Sequence, residues 1–236
     1  MGSLNKISAH QQHPSEPGFL QAAISVDCVI FGFLNSELKI LLIKSDLEMY
    51  KDKWSLLGDL VRPDENLENA SYRVLKERTG LSDVYLEQVF TFSEINRHPG
   101  GRVISTAYYS LVNIKHHHLR IAHNELHWRP VNEICGLAFD HELIFQTCLK
   151  RLRSQILESP VIFNLLPEKF SLRELQTLYE SILNTKMDRR NFRKKFFLMD
   201  WLIDIDELEV NVSHRPGKLY SFNKALFPEP VIETIV

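Results

Sequence analysis

Between Gly58 and Leu81 the chain reads GDLVRPDENLENASYRVLKERTGL, a turn followed by an amphipathic helix and a glycine stop. Leu67, Ala70, Val74 and Leu75 stand at i, i+3, i+7 and i+8, the spacing of one buried helical face. Asn66 is placed to cap the N-terminus, and Gly80 followed by Leu81 suits a left-handed end closed by an apolar contact. A helix with one buried face needs a partner layer, and the flanking sequence supplies it. Ser25 to Phe33 (SVDCVIFGF) and Leu38 to Lys44 (LKILLIK) are β-branched and aromatic runs joined by N-S-E, which predicts a hairpin. Val84 to Thr91 and Val103 to Ile114 read as further strands joined by the turn-rich N-R-H-P-G-G, with another near His127 to Val131. A helix follows from His141 to about Leu157. Strands interleaved with helices imply a mixed α/β sheet with helices on its faces.

The pattern changes after Glu158-Ser159-Pro160. Ser171-Leu172-Arg173-Glu174 is a capping box, opening a helix whose apolar stripe is Leu172, Leu175, Leu178, Tyr179, Ile182 and Leu183. After the short turn N-T-K-M, Asp188 caps a second helix that runs to about Met199. Two alternating runs, Trp201 to Val212 and Leu219 to Phe222, flank the turn S-H-R-P-G-K. Helix, short turn, helix and a hairpin with a basic tip is the order of a winged helix-turn-helix. The chain therefore divides into an N-terminal arm (1–18), expected to be disordered, a first domain (19–157) and a smaller second one (158–230).

With a net charge of −2, nucleic-acid binding would have to rest on local clustering of charge. Such clustering exists. Six basic residues fall between Lys186 and Phe197 (Lys186, Arg189, Arg190, Arg193, Lys194 and Lys195) against the single acid Asp188, while five acids sit between Asp200 and Glu209. Phe192, Phe196 and Met199 recur at helical spacing and are expected to face the core, turning the cations outward. In a helix-turn-helix the second helix enters the major groove, where arginine pairs with guanine and asparagine with adenine. Arg189, Arg190, Asn191 and Arg193 have the donors for base readout. Lys186, Lys194 and Lys195, with His214, Arg215 and Lys218 at the hairpin tip, suit phosphate contacts. The expected partner is double-stranded DNA. An ordinary solvated helix face, or a surface for an acidic protein, is the competing reading.

Other features point nowhere special. Cys28, Cys135 and Cys148 have no metal-ligand spacing and read as small core residues in a reducing compartment. His116-His117-His118 reads as an exposed turn. Arg97 to Arg102 could contact a phosphate, although hairpin turns carry Pro-Gly for geometry alone. No apolar run approaches the roughly 18 to 20 residues needed to span a bilayer, and the N-terminus has no signal-peptide core, so a cytoplasmic protein without membrane partners is expected.

The block from Gly58 to Leu81 resembles the Nudix box, G-x5-E-x7-R-E-U-x-E-E-x-G-U, where U is a bulky aliphatic residue. With N-L-L-P-E-K-F-S-L-R-E-L-Q-x-L-Y-E and M-D-R-R-N-F-R-K-K downstream, the chain resembles the Nudix-related transcriptional regulators over about residues 20 to 230, closest in look to the arabinose-responsive branch. The resemblance implies a Nudix-like α/β/α sandwich with a mixed sheet, followed by a winged helix-turn-helix. In that register Glu65, Arg73, Leu75 and Gly80-Leu81 match the box, and Asp59 replaces its first glycine. The three glutamates that hold divalent ions in Nudix hydrolases fall on Val74, Glu77 and Arg78. Hard ions need several carboxylate oxygens, and an arginine beside Glu77 would offer it a partner and repel a metal. No catalysis, cofactor or metal is therefore expected.

The family implies that the old cleft serves as an effector pocket. Candidate binding residues are Asp27, Trp54, Ser55, Glu94, Arg97, Asp140 and His141; Asp27 is the most telling, since an acid among apolar neighbours must be paired or face a cavity. Carboxylates and an aromatic ring suit a sugar, so a pentose is favoured over ADP-ribose as effector. The implied protein is a homodimeric repressor of sugar-utilisation genes, released when the effector alters the spacing of its paired winged helices. The alternative is a divergent Nudix hydrolase acting on ADP-ribose or a sugar nucleotide.

Overall fold

The computed structural model describes residues 20–45, 47–115, 126–156, 158–213 and 215–226. The expected arm at 1–18, the triplet His116 to His118 and His214 lie outside these residues. The long strand β1 (Ala23–Leu34) turns back into β2 (Glu37–Lys44) through Asn35 and Ser36, both at positive φ (53° and 65°), the geometry a two-residue hairpin turn needs. Then come two short strands that the sequence reading missed, β3 (Trp54–Ser55) and β4 (Leu57–Leu60), and helix α1 (Leu67–Thr79). Strands β5 (Tyr85–Phe92), β6 (Val103–Val112) and β7 (Leu126–Pro130) follow, and then helix α2 (His141–Gln155). In the main sheet β1 runs parallel to β6, and every other pairing is antiparallel.

The caps behave as their sequence predicts. The Asn66 side chain accepts the Asn69 N–H at 2.8 Å, and Gly80 ends α1 at φ 75°. Such a cap is worth about 1 kcal/mol.

Side chains alternate along β1, and each set serves a different layer. Val26, Cys28 and Ile30 pack with Ala70, Val74 and Leu75 of α1. Val29 and Phe31 face the opposite side, against Phe145 and Leu149 of α2. This is the expected α/β/α sandwich. Cys28 and Cys148 are buried as expected, but Cys135 is exposed.

The C-terminal region comprises β8 (Phe170–Ser171), α3 (Leu172–Leu183), α4 (Arg189–Leu198), β9 (Leu202–Leu208) and β10 (Lys218–Phe222), its three strands ordered β8-β10-β9. Both halves of the capping box form, Ser171 accepting from Glu174 and Glu174 from Ser171. Leu175, Tyr179, Phe192 and Phe196 extend the apolar layer beneath α2 without a break. Polar bonds reinforce that seam. The Tyr179 hydroxyl donates to the Ile156 carbonyl at 2.9 Å, Arg153 Nε donates to the Ile182 carbonyl at 2.7 Å, and the Leu38 N–H donates to Ser181 Oγ at 2.7 Å. The carbonyls of Ile156 and Ile182 belong to the last turns of α2 and α3, where helices leave such acceptors unused.

Candidate functional site

Strand β1 has two different antiparallel partners. Ser25 to Cys28 pair with β4, and Phe31 to Leu34 pair with β2, which then continues against β3 and β7. Strand β2 thus parts from β1, and the fork opens a cleft of about 250 Å³ lined from β1, β2, the β3–β4 segment, α1, the loop after β5 and the start of α2. Gly58 lies opposite Asp27 across the β1–β4 ladder, and a side chain there would collide with Asp27 Oδ1 and meet the Val26 carbonyl at 2.7 Å. Glycine is required by that approach.

Asp27 is the hub of the floor. Ser105 donates to its Oδ2 at 2.5 Å, Arg97 Nη2 lies 3.5 Å from the same oxygen, and His141 Nε2 is 3.5 Å from Oδ1. Arg97 in turn grips Asp140 with two bonds, Nε to Oδ2 at 2.8 Å and Nη2 to Oδ1 at 2.7 Å. The Leu56 N–H donates to His141 Nδ1 at 3.0 Å, and an N–H can only donate. Nδ1 is therefore unprotonated, the imidazole carries its proton on Nε2, and that proton points toward Asp27. Burial, outweighing the pull of Asp27 and Asp140, holds the His141 pKa below its ordinary value of 6.5, so the ring is neutral at pH 7. Ser55 Oγ, 3.0 Å from Nδ1, completes the cluster.

Five of the seven expected effector residues, Asp27, Ser55, Arg97, Asp140 and His141, thus meet in one network. Trp54 and Glu94 do not. The Trp54 ring lies under Lys44 Nζ at 4.1 Å and edge-on to His127, outside the cleft lining. Strand alternation sends it to the face opposite Ser55. Glu94 is exposed, and its carbonyl accepts the Arg97 N–H at 3.4 Å. The sequence reading also missed an aromatic wall. Phe139 stacks on His98 with centroids 5.1 Å apart and planes 10° apart, and touches Tyr50 and His141. Its φ of 53° is the left-handed region that a bulky residue rarely adopts, and no sequence signal marks it.

The box residues form a separate salt-bridge knot. Arg73 donates through Nε and Nη2 to Glu65 (2.7–3.2 Å), through Nη1 to Asp59 at 2.8 Å and Glu77 at 3.3 Å, and through Nη2 to the Leu60 carbonyl at 2.9 Å. The Arg73 bonds to Glu65, and after them the Arg62 N–H donating to Glu65 Oε1 at 2.9 Å, pull the Glu65 pKa down to about 2. Glu77 is also held by Arg62 Nη2 at 3.2 Å. The expectation that Arg78 would partner Glu77 is corrected: Arg62 and Arg73 take that carboxylate, and Arg78 lines the cleft instead.

A divalent metal of the Nudix type does not fit these residues. Of the three positions that would supply carboxylates, Val74 is 1% exposed in the core, Glu77 is occupied by two arginines, and Arg78 is a cation. Among the described residues no group of three or more His, Cys, Asp or Glu side chains is placed to hold a metal ion.

On α4, Phe192 and Phe196 are buried, while Arg189, Arg190, Asn191, Arg193, Lys194 and Lys195 are all exposed. Among the described residues Arg189, Arg190 and Lys194 have no acidic partner. Two of the expected phosphate contacts are paired: Lys186 with Glu180 at 3.1 Å and Lys218 with Asp204 at 2.8 Å. Arg215 is exposed beside the hairpin.

A Nudix sandwich with a dismantled metal site, carrying a winged helix with a cationic second helix, defines a two-domain protein of regulator type. The NUDIX domain model matches residues 23–151, and the model described as the NrtR DNA-binding winged helix domain matches residues 162–222. The chain belongs to the NrtR-like family of Nudix proteins. It is 32% identical over 204 residues to the ADPR responsive transcriptional repressor NtrR of Acinetobacter baylyi, covering 84% of this chain and 81% of that protein. The crystal structure of Shewanella oneidensis NrtR complexed with a 27mer DNA superposes with a TM-score of 0.75 at 29% identity, over 84% of this chain and 93% of that one. The NUDIX domain of the same Shewanella protein, complexed with ADP ribose, gives 0.52 at 27% identity, over 58% and 93%. The expected sugar-responsive branch finds no support in these relatives. Among the described residues no helix is long and apolar enough to cross a membrane.

Proposed function

We propose that this protein is a DNA-binding transcriptional repressor whose affinity for its operator is set by ADP-ribose bound in the Nudix cleft. The observation that carries this reading is the pairing of a cleft stripped of metal-binding acids with a helix whose cations have no acidic partner among the described residues, both built on one apolar core. The relatives that respond to or bind ADP-ribose replace the pentose of the sequence reading. The cleft supports that change: the stacked pair Phe139 and His98 offers an aromatic surface for a base, which a free pentose would leave unused.

In this reading Arg189, Arg190, Asn191 and Arg193 read base edges, Lys194 and Lys195 contact phosphates, and the protein binds as a homodimer with one winged helix per half-site. Helix α2 couples the two sites. Its first residue, His141, belongs to the cleft network, and its last turn bonds to α3 through Arg153 and Ile156. An effector needs about 1 to 3 kcal/mol of differential affinity to act in this way, a change of roughly 5- to 150-fold.

The test is a DNA duplex enriched from a random library on the purified protein. ADP-ribose should release the bound duplex, and arabinose at the same concentration should not. Release by arabinose alone would restore the sugar reading. Magnesium-dependent production of AMP from ADP-ribose, abolished by Glu77→Gln, would instead make the protein a hydrolase.

A further inference from the structure

The cleft belongs to a fold that elsewhere handles diphosphates with divalent metal, yet its residues reject the metal. Something must still answer the two negative charges of a diphosphate diester. The charges of the cleft can be sorted by what they already hold. Arg97 is neutralised by Asp140 and Asp27, and Asp59 is bound to Arg73. Lys44 also borders the cleft, but its ammonium lies over the Trp54 ring at 4.1 Å and donates to the Asp52 carbonyl at 2.7 Å, on the face away from Ser55. Arg78 is the lining cation that remains, and it has no ion pair among the described residues.

We propose that Arg78 takes the place of the divalent ion and holds the diphosphate of the effector directly, so that binding requires no metal. The position supports the assignment. Arg78 stands in the last turn of α1 at a place where the box carries a metal-holding glutamate, and the same helical register now presents a guanidinium to the cleft. A guanidinium offers a planar fork of donors that matches two phosphate oxygens, and its charge does not titrate. The competing role for Arg78 is a favourable charge at the C-terminus of α1, which would act on stability and leave binding untouched.

This inference rests on the ADP-ribose reading, and calorimetric titration of the full chain separates the two. With ADP-ribose in excess EDTA, affinity should equal that in magnesium within about two-fold. Arg78→Glu should weaken binding roughly ten-fold or more, Arg78→Lys should retain most of it, and the melting temperature should hardly move. Binding that requires magnesium, or an Arg78→Ala protein that binds like the parent, overturns the inference while leaving the effector standing. If ADP-ribose fails to bind under either condition, the effector reading falls. Inorganic pyrophosphate titrated in EDTA then decides the role of Arg78: uptake lost in Arg78→Glu supports it, and no uptake overturns it.

Discussion

The Asp27 network and the outer face of α4 are both crowded with charge, and they use it in opposite ways. In the cleft floor each charged group has a partner: Asp27 meets Ser105, Arg97 and His141, and Arg97 meets Asp140. On α4 the cations Arg189, Arg190 and Lys194 meet none among the described residues. Buried charges must be satisfied internally, because desolvation leaves no other remedy, so they build the scaffold. Exposed charges of one sign are tolerated by water and remain available to a partner of opposite sign. Arg78 belongs to the second kind, although it sits beside the first. On the proposed reading, saturation more than residue type separates structural charge from binding charge.

The contrast breaks most visibly at Asp27. Replacing it by Ala would leave Arg97 its Asp140 partner but remove the acceptor of the buried Ser105 hydroxyl and of the His141 N–H, and unfolding by urea should show a loss of about 1 to 3 kcal/mol. An Asp27→Ala protein as stable as the parent would mean that the network is incidental to the fold. On α4 the effect should reverse in kind. Arg190→Ala with Arg193→Ala should cost about 2 kcal/mol or more of DNA affinity while changing stability by less than about 0.5 kcal/mol. An unchanged mobility shift would remove α4 from the interface.

Acid titration gives the finest distinction. His141 has a lowered pKa, so the neutral ring contributes stability above its ordinary value of 6.5 that is lost as pH falls below it. Glu65 is lowered to about 2 from 4.5, so its contribution is present above about pH 4.5 and is lost as pH falls toward 2. Stability measured against pH should decline in two windows. His141→Gln should flatten the upper one and Glu65→Gln the lower, the latter weakly because that carboxylate is solvent-screened.

Much of this was legible in the chain. The hairpin, α1 with its Asn66 and Gly80 ends, the capping box at Ser171 and the basic second helix all rest on local signals of period, cap and turn, and these need no distant partner to be read. Asp27 announced itself as an acid in an apolar strand. Short elements did not show. Trp54 to Leu60 is too brief for alternation to register, yet it forms β3 and β4 and one wall of the cleft. Trp54 was misplaced for a related reason, since which face a two-residue strand presents depends on the strand it joins. Phe139, held at positive φ by its surroundings, carries no local mark at all.

The sequence by itself determined the layered class, the register of the box and the loss of its metal-binding acids, because those follow from residue identity at counted spacings. Only the tertiary structure decided who holds whom. Glu77 lies within reach of Arg62 and Arg73 as well as its neighbour Arg78, and adjacency in the chain suggested the wrong partner. Successive residues of a helix point about 100° apart, so Glu77 and Arg78 face different surroundings, and the fold turns one into the knot and the other into the cleft.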